Sequence, residues 1–376
     1  MLLIHRLSPL LRFPKVRLYG KKYIKPNKMN NMLAGNPPSK QVHQETMRYI
    51  YPFARIIIRS DIYLQVKAAD VHEYPDANVL IAELHGGHAR NCPVNMLVDV
   101  SEDERLVNIA INKTANALDF HCNLEIPIRA DLHIEALDSV TVRNIFSSEI
   151  TIRAQKNIET KELRADNITL DSAGGNISCK GMLLGKVTTV ETKELGNISL
   201  EKLQGDQLSC KTDAGSISTN SCYVEESKFV TNTGSLHLKN VHKRTEVEVQ
   251  KSGELNMTGV HGNLKVRTNG GKLNLQLSEL AGENVVKANG IEQAIINISD
   301  CIEEQSNIEV TSRAVVLDGS LSHLRDCVIN NDTLFRNSKS TNALSNLTVN
   351  SSGEVKLGKL SWMESVRGQL DKSGQK

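Results

Sequence analysis

The sequence predicts an all-β fold, a parallel β-helix or β-solenoid with coils of about 19 residues and an N-terminal β cap. Three observations predict it. Glycines recur in one local context at Gly175, Gly196, Gly215, Gly234, Gly253 and Gly271, spaced 21, 19, 19, 19 and 18 residues apart, and a fixed period of this length marks a repeat architecture. After each glycine runs an apolar/polar alternation of period two, in phase across all six repeats. All nine prolines lie at or before Pro127, leaving 249 residues without one, as a stacked backbone ladder requires.

Bulk composition narrows the classes of function. The 376 residues are 39% hydrophobic and 4% aromatic, with 45 Lys and Arg against 43 Asp and Glu. A near-balanced charge gives no whole-chain field for nucleic acid or a membrane surface. No stretch approaches the roughly 20 apolar residues of a transmembrane helix. The seven cysteines form no C-x-x-C pair and are odd in number, which argues against a disulfide scaffold and a zinc ribbon.

Residues 1–44 read as a mitochondrial targeting leader followed by a disordered linker. The first acidic residue is Glu45, and nine Lys and Arg precede it, so this segment carries +9 while the rest of the chain carries −7. Leu2, Leu3, Ile4, Leu7, Leu10, Leu11 and Phe13 interleave with Arg6 and Arg12, offering an apolar face to an import receptor and positive charge to a membrane potential. Arg17-Leu18-Tyr19-Gly20 is similar to the arginine-containing cleavage site of mitochondrial presequences and places a mature start near Gly20. Cleavage there removes four cations and leaves 41 basic against 43 acidic residues, so no nucleic-acid partner is expected of the mature chain. Residues 26–40, with Pro37-Pro38, form the linker.

Residues 45–126 read as an irregular β cap. Ile56-Ile57-Ile58, Ile62-x-Leu64-x-Val66, Val79-x-Ile81, Met96-x-Val98-x-Val100 and Val107-x-Ile109-x-Ile111 are strands at uneven spacing, and Ser101 to Arg105 is a hairpin turn. A solenoid needs such a segment to protect its open edge from pairing with another molecule.

Residues 127–360 carry the solenoid. Two places after each glycine stand Ile177, Ile198, Ile217, Leu236, Leu255 and Leu273; four places after stand Cys179, Leu200, Thr219, Leu238, Met257 and Leu275. A second strand precedes the glycine at Ile168-x-Leu170, Leu208-x-Cys210, Phe229-x-Thr231 and Leu264-x-Val266, with Val247-x-Val249 displaced by one residue. One such unit cannot bury its apolar side chains alone, so successive units stack. Glycine suits a sharp corner that takes φ > 0, and the 33 asparagines suit corners and axial ladders. Residues 361–376 close the stack as a C-terminal cap around Trp362, Met363, Val366 and Leu370, followed by a tail.

With Leu124-Glu125-Ile126-Pro127 leading into Leu132-His133-Ile134-Glu135-Ala136, and repeats such as Leu208 to Ile217, the chain resembles the β-solenoid domains grouped as putative adhesins. The leader and length look like the animal branch of that group. The resemblance implies a fold and supplies no catalytic or ligand residues.

Few motifs carry chemistry. His85-Gly86-Gly87-His88 followed by Cys92 offers three zinc-type ligands, yet no fourth has fitting spacing, and the plainer expectation is a glycine-hinged loop with solvated histidines. Cys179 and Cys210 fall on inward strand positions, whereas Cys222 stands at a corner where exposure is expected. The outward columns hold Ser, Asn and isolated charges rather than the clustered carboxylates of glycosidases. No catalytic, cofactor or metal residue is therefore assigned. The sequence leads to a non-enzymatic mitochondrial scaffold, placed in the matrix, that binds protein partners or itself. The alternative is a carbohydrate-active or hydrolytic enzyme with its site at the cap junction near His85, His88 and His121.

Overall fold

The computed structural model describes residues 41–87, 92–114, 120–338 and 343–360. Residues 1–40 of the leader and linker, His88 and the cap around Trp362 lie outside the described residues, whereas residues 41–44, expected to be disordered, begin the strand Gln41–Tyr49, whose backbone pairs antiparallel with Val79–Gly86. Within them the chain is a parallel β-solenoid. One inward column on one side of the coil runs Val107, Ile56, Leu132, Ile150, Ile168, Thr188, Leu208, Ser227, Thr245 and Leu264, each paired in register with the next. On another side, Val66, Val142, Thr160, Cys179, Leu200, Thr219, Leu238, Met257 and Leu275 form a second. The predicted repeat register of Ile177, Ile198, Ile217, Leu236, Leu255 and Leu273 is the observed one. These columns are buried along their length, and each Leu, Ile or Val they enclose contributes about 1.5–3 kcal/mol.

Each coil has three short sides where alternation alone suggested two. In Ile177–Thr192 the inward residues are Ile177 and Cys179, then Leu183 and Gly185, then Thr188, Val190 and Thr192. The bend after the first side is left-handed, at Asn144, Glu162, Gly181, Asn240 and Gly259 on different coils. The middle side also pairs from coil to coil, as Leu163 with Leu183 and Leu183 with Leu203, so one strand runs through the bends on either side of it. Cys222 sits on it facing inward, between Leu203 and Val241, and is fully buried rather than exposed at a corner.

The repeating glycines occupy the third bend, for a reason other than the expected positive φ. Among Gly175, Gly196, Gly215, Gly234, Gly253 and Gly271 only Gly271 is left-handed. A Cβ built on Gly215 would collide with the carbonyl oxygen of Gly196, one on Gly234 with that of Gly215, and one on Gly253 with that of Gly234. A hydroxyl column lies beside them: Thr192 Oγ1 donates to the Gly175 carbonyl at 2.7 Å and Thr212 Oγ1 to the Gly196 carbonyl at 2.8 Å. The expected asparagine ladder forms between side chain and backbone, with the Asn176 N–H donating to Asn157 Oδ1 and the Asn197 N–H to Asn176 Oδ1.

One alignment differs from the sequence expectation. Phe229 pairs with Cys210 and Val247, so Val247-x-Val249 is in register with Phe229-x-Thr231, and Leu208 faces Ser227. The inward positions here are polar, Ser227 and Thr245, which are buried and hydrogen-bonded to each other at 3.0 Å. That bond makes two polar residues acceptable inside the coil.

Chain order is broken at both ends of the ladder. Arg55–Ser60 lies between Leu106–Lys113 and Asp131–Ala136, and Tyr63–Ala68 between His121–Ile126 and Val140–Phe146. Parallel pairing thus includes strands on the N-terminal side of residue 127. At the other end Ser345–Ser351 is inserted between Gly282–Ala288 and Ser306–Thr311, and Glu354–Lys359 between Ile291–Ile298 and Ala314–Leu317. Beyond these layers the strand direction reverses. Val94–Val100, Val79–Gly86 and Leu334–Asn337 all pair antiparallel with the parallel layers, which covers edges that would otherwise accept further strands. The turn at Ser101 to Arg105 joins Val94–Val100 to Leu106–Lys113 as expected.

Candidate functional site

The cap junction brings together residues distant in sequence. Val79–Gly86 runs antiparallel to His121–Ile126, with His85 opposite His121 and Glu83 opposite Asn123. Residues two apart share a face, so these four side chains form one patch. The His85 and His121 rings stack with centroids 5.1 Å apart and 14° between planes. The Glu83 carboxylate is hydrogen-bonded to His85 Nε2 at 3.0 Å, and Asn123 Oδ1 is buried without a hydrogen-bond partner. His85 is therefore a strand residue stacked on another imidazole, where a solvated loop was expected. Cys92 is turned to its own segment, its Sγ donating to the Val94 carbonyl at 3.2 Å. Among the described residues no three His, Cys, Asp or Glu side chains are arranged to hold a metal ion. An imidazole bonded to a carboxylate is an arrangement that can pass a proton. The period-two spacing of Glu83 and His85 was visible in the sequence, but their pairing with Asn123 and His121 was not.

A second feature is a trough of about 460 Å³ along the solenoid surface. One bank is a ridge of outward side chains on successive coils: Arg59, Glu135, Arg153 and Asp171, each opposite the next. The floor is made by the small residues Ser60, Ala136 and Ala154, and the far bank includes Asp61, Leu137 and Lys193. Arg59 pairs with Glu135 at 3.3 Å. Hydrogen bonds from His133 and Arg59 hold the Glu135 carboxyl below the usual carboxylate range. Among the described residues Arg153, Asp171 and Lys193 have no ion pair.

The third feature is a stack of rings on the middle side of three successive coils. Tyr223 and His242 lie 4.4 Å apart and His242 and His261 4.8 Å apart, tilted by 19° and 6°. His261 Nδ1 is 3.7 Å from Glu279. Burial, and then the neighbouring His261, lower the His242 pKa below its ordinary value. In the sequence these rings are spaced by one coil, a signal readable only once the three-sided register is known.

Elsewhere charges are neutralised from coil to coil: Lys186 with Asp166 at 2.8 Å, Lys211 with Glu191 at 3.0 Å and Lys228 with Glu246 at 3.3 Å. The inward thiols are held protonated. Burial pushes Cys179 and Cys122 up to about 12 and Cys222 to about 11.

The registers and these surfaces define an all-β parallel solenoid with a repetitive outer face. Residues 124–290, the regular middle of the ladder, match the family model described as Toastrack DUF4097. Solved structures similar to this chain include a "putative adhesin" from Bacteroides fragilis, 14% identical over 63% of this chain and 98% of that one, with a TM-score of 0.36. Another from Parabacteroides distasonis is 11% identical over 85% of this chain and 98% of that one, also with a TM-score of 0.36. A third from Parabacteroides merdae is 9% identical over 85% and 96%, with a TM-score of 0.34. The fold assignment rests on the strand registers. No helix among the described residues is long and apolar enough to cross a membrane.

Proposed function

We propose that the chain is a non-enzymatic scaffold of the mitochondrial matrix that binds protein partners along its repetitive face. One observation carries the scaffold reading. Outward charges are spread over successive coils and paired with the neighbouring coil, as in Lys186–Asp166, Lys211–Glu191 and Lys228–Glu246, instead of converging on a point. An extended surface of this kind is what repeat proteins use for binding. The matrix address rests on the leader, with its nine cations before Glu45. Leader and length are also similar to those of the animal proteins called family with sequence similarity 185 member A. Proximity labelling with the intact chain and with a form lacking residues 1–40 tests both halves. Labelling of matrix proteins by the intact chain alone, with a reproducible set of neighbours, is the expected result. Cytosolic labelling by both forms overturns the address, and the absence of any reproducible neighbour overturns the scaffold.

A second reading, a hydrolytic or carbohydrate-active enzyme, has the His85–Glu83 pair beside His121 in its favour. It requires a turnover, found by substrate screening, that His85→Asn abolishes.

A further inference from the structure

The ridge Arg59, Glu135, Arg153, Asp171 presents its charges in the order plus, minus, plus, minus, at a coil spacing of about 4.8 Å. Read from the other end the order is minus, plus, minus, plus, so the ridge is the complement of its own reverse. We propose that the trough receives a second copy of this chain, the ridge of each copy lying in the trough of the other about a two-fold axis. Arg59 then faces Asp171 of the other copy and Glu135 faces Arg153, each contact made twice, as an isologous interface demands.

Three features support this occupant. A slide of one coil sets Arg153 against Arg153 and Glu135 against Asp171, so the charges select one register. The trough runs directly beside the ridge, and its floor of Ser60, Ala136 and Ala154 leaves room for long side chains. Leu137 on the far bank is 58% exposed, and Arg153 and Asp171 have no ion pair within the chain among the described residues. Further along, Glu191 follows Asp171 in the ladder and is already paired with Lys211 at 3.0 Å, which ends the self-complementary run. The inference names one partner for the surface invoked by the scaffold reading and rests on that reading.

Sedimentation equilibrium of the full chain tests it, with circular dichroism and melting to confirm that each variant folds. The expected mass is twice the 41.5 kDa of the chain, falling toward the monomer as salt screens the exposed pairs. Arg153→Glu opposes Glu135 with a like charge twice and is expected to weaken the dimer by about tenfold or more. Combining it with Glu135→Arg changes the order to plus, plus, minus, minus, still the complement of its reverse, and restores the dimer. If Arg153→Glu does not fold, Asp171→Arg opposes Arg59 in the same way. A monomeric wild type, a charge reversal without effect, or a double variant no better than the single overturns the proposal. A monomer that still labels a reproducible set of neighbours sinks self-pairing alone and leaves the scaffold standing.

Discussion

The carbonyl oxygen of Gly196 lies where the side chain of any residue replacing Gly215 would have to begin. Successive coils approach so closely at this bend that the backbone of one fills the Cβ position of the next. The same relationship links Gly234 to Gly215 and Gly253 to Gly234. Relief would require two coils to part, and the hydroxyl-to-carbonyl bonds of Thr192 and Thr212 at the same bend resist that. Gly215→Ala is expected to destabilise the fold by about 1–3 kcal/mol through overpacking. Gly319→Ala, where a Cβ meets nothing within 4 Å, is the control and is expected to be close to neutral. Paired denaturant melts decide. Equal midpoints for the two variants would mean that the glycine column is not held by contact.

That bend also shows how far the sequence could be read. A glycine every nineteen residues and the alternation after it located the column from Ile177 to Leu273 and its register, because both are local in the chain. The steric cause of the glycines was not legible, since it depends on the distance between coils. Ser227 and Thr245 hid an inward column because their mutual hydrogen bond, unlike their polarity, is invisible in a linear pattern. His85 and His121 meet through a strand reversal, and Arg59 joins Glu135 through a coil inserted out of chain order. Such long-range pairings leave no periodic trace.

The insertion at the C-terminal end makes the last described strands structural rather than peripheral. Leu347 is buried between Asn284 and Ile308, and Lys359 on the same coil pairs with Asp300 and Glu303. Leu347→Ala is expected to cost about 2–5 kcal/mol, as for a buried leucine in any core. Leu344→Ala, at a residue 68% exposed, should cost little. Amide hydrogen exchange gives an independent check: protection at 347–349 is expected to equal that at 236–238. Fraying of 347–349 well before the central coils would place this coil at a free end instead.

The cysteines are expected to divide by burial. Cys122, Cys179, Cys210 and Cys222 are buried with raised pKa values, whereas Cys92 is exposed. Since the thiolate is the reacting species, iodoacetamide applied to the folded protein at about pH 8, close to a free thiol's pKa, should alkylate Cys92. The four buried thiols should remain unmodified until denaturant is added. Peptide mass spectrometry reads each site separately, and rapid modification of Cys210 without denaturant would contradict its inward placement.

The ring stack predicts a pH dependence with a definite sign. The ordinary His242 value is 6.5, and burial together with His261 places the folded value lower. Below 6.5 the unfolded chain therefore binds a proton that the folded coil resists, so stability falls as the solution is acidified. The loss stops growing once the pH is below the folded value, because both states are then protonated. Tyr223 on one face and His261, itself paired with Glu279, on the other are the groups stacked against this ring. Carboxylates with lowered values, such as Glu135 and Asp138, lose their contribution only nearer about pH 4, where carboxyl groups titrate. The window between about pH 7 and about pH 5 is thus left to histidine. His242→Gln keeps a planar side chain in the stack and removes the titration, so its melting temperature should fall less than that of the wild type over this window. Parallel melting curves for wild type and variant would show that other groups carry the pH response.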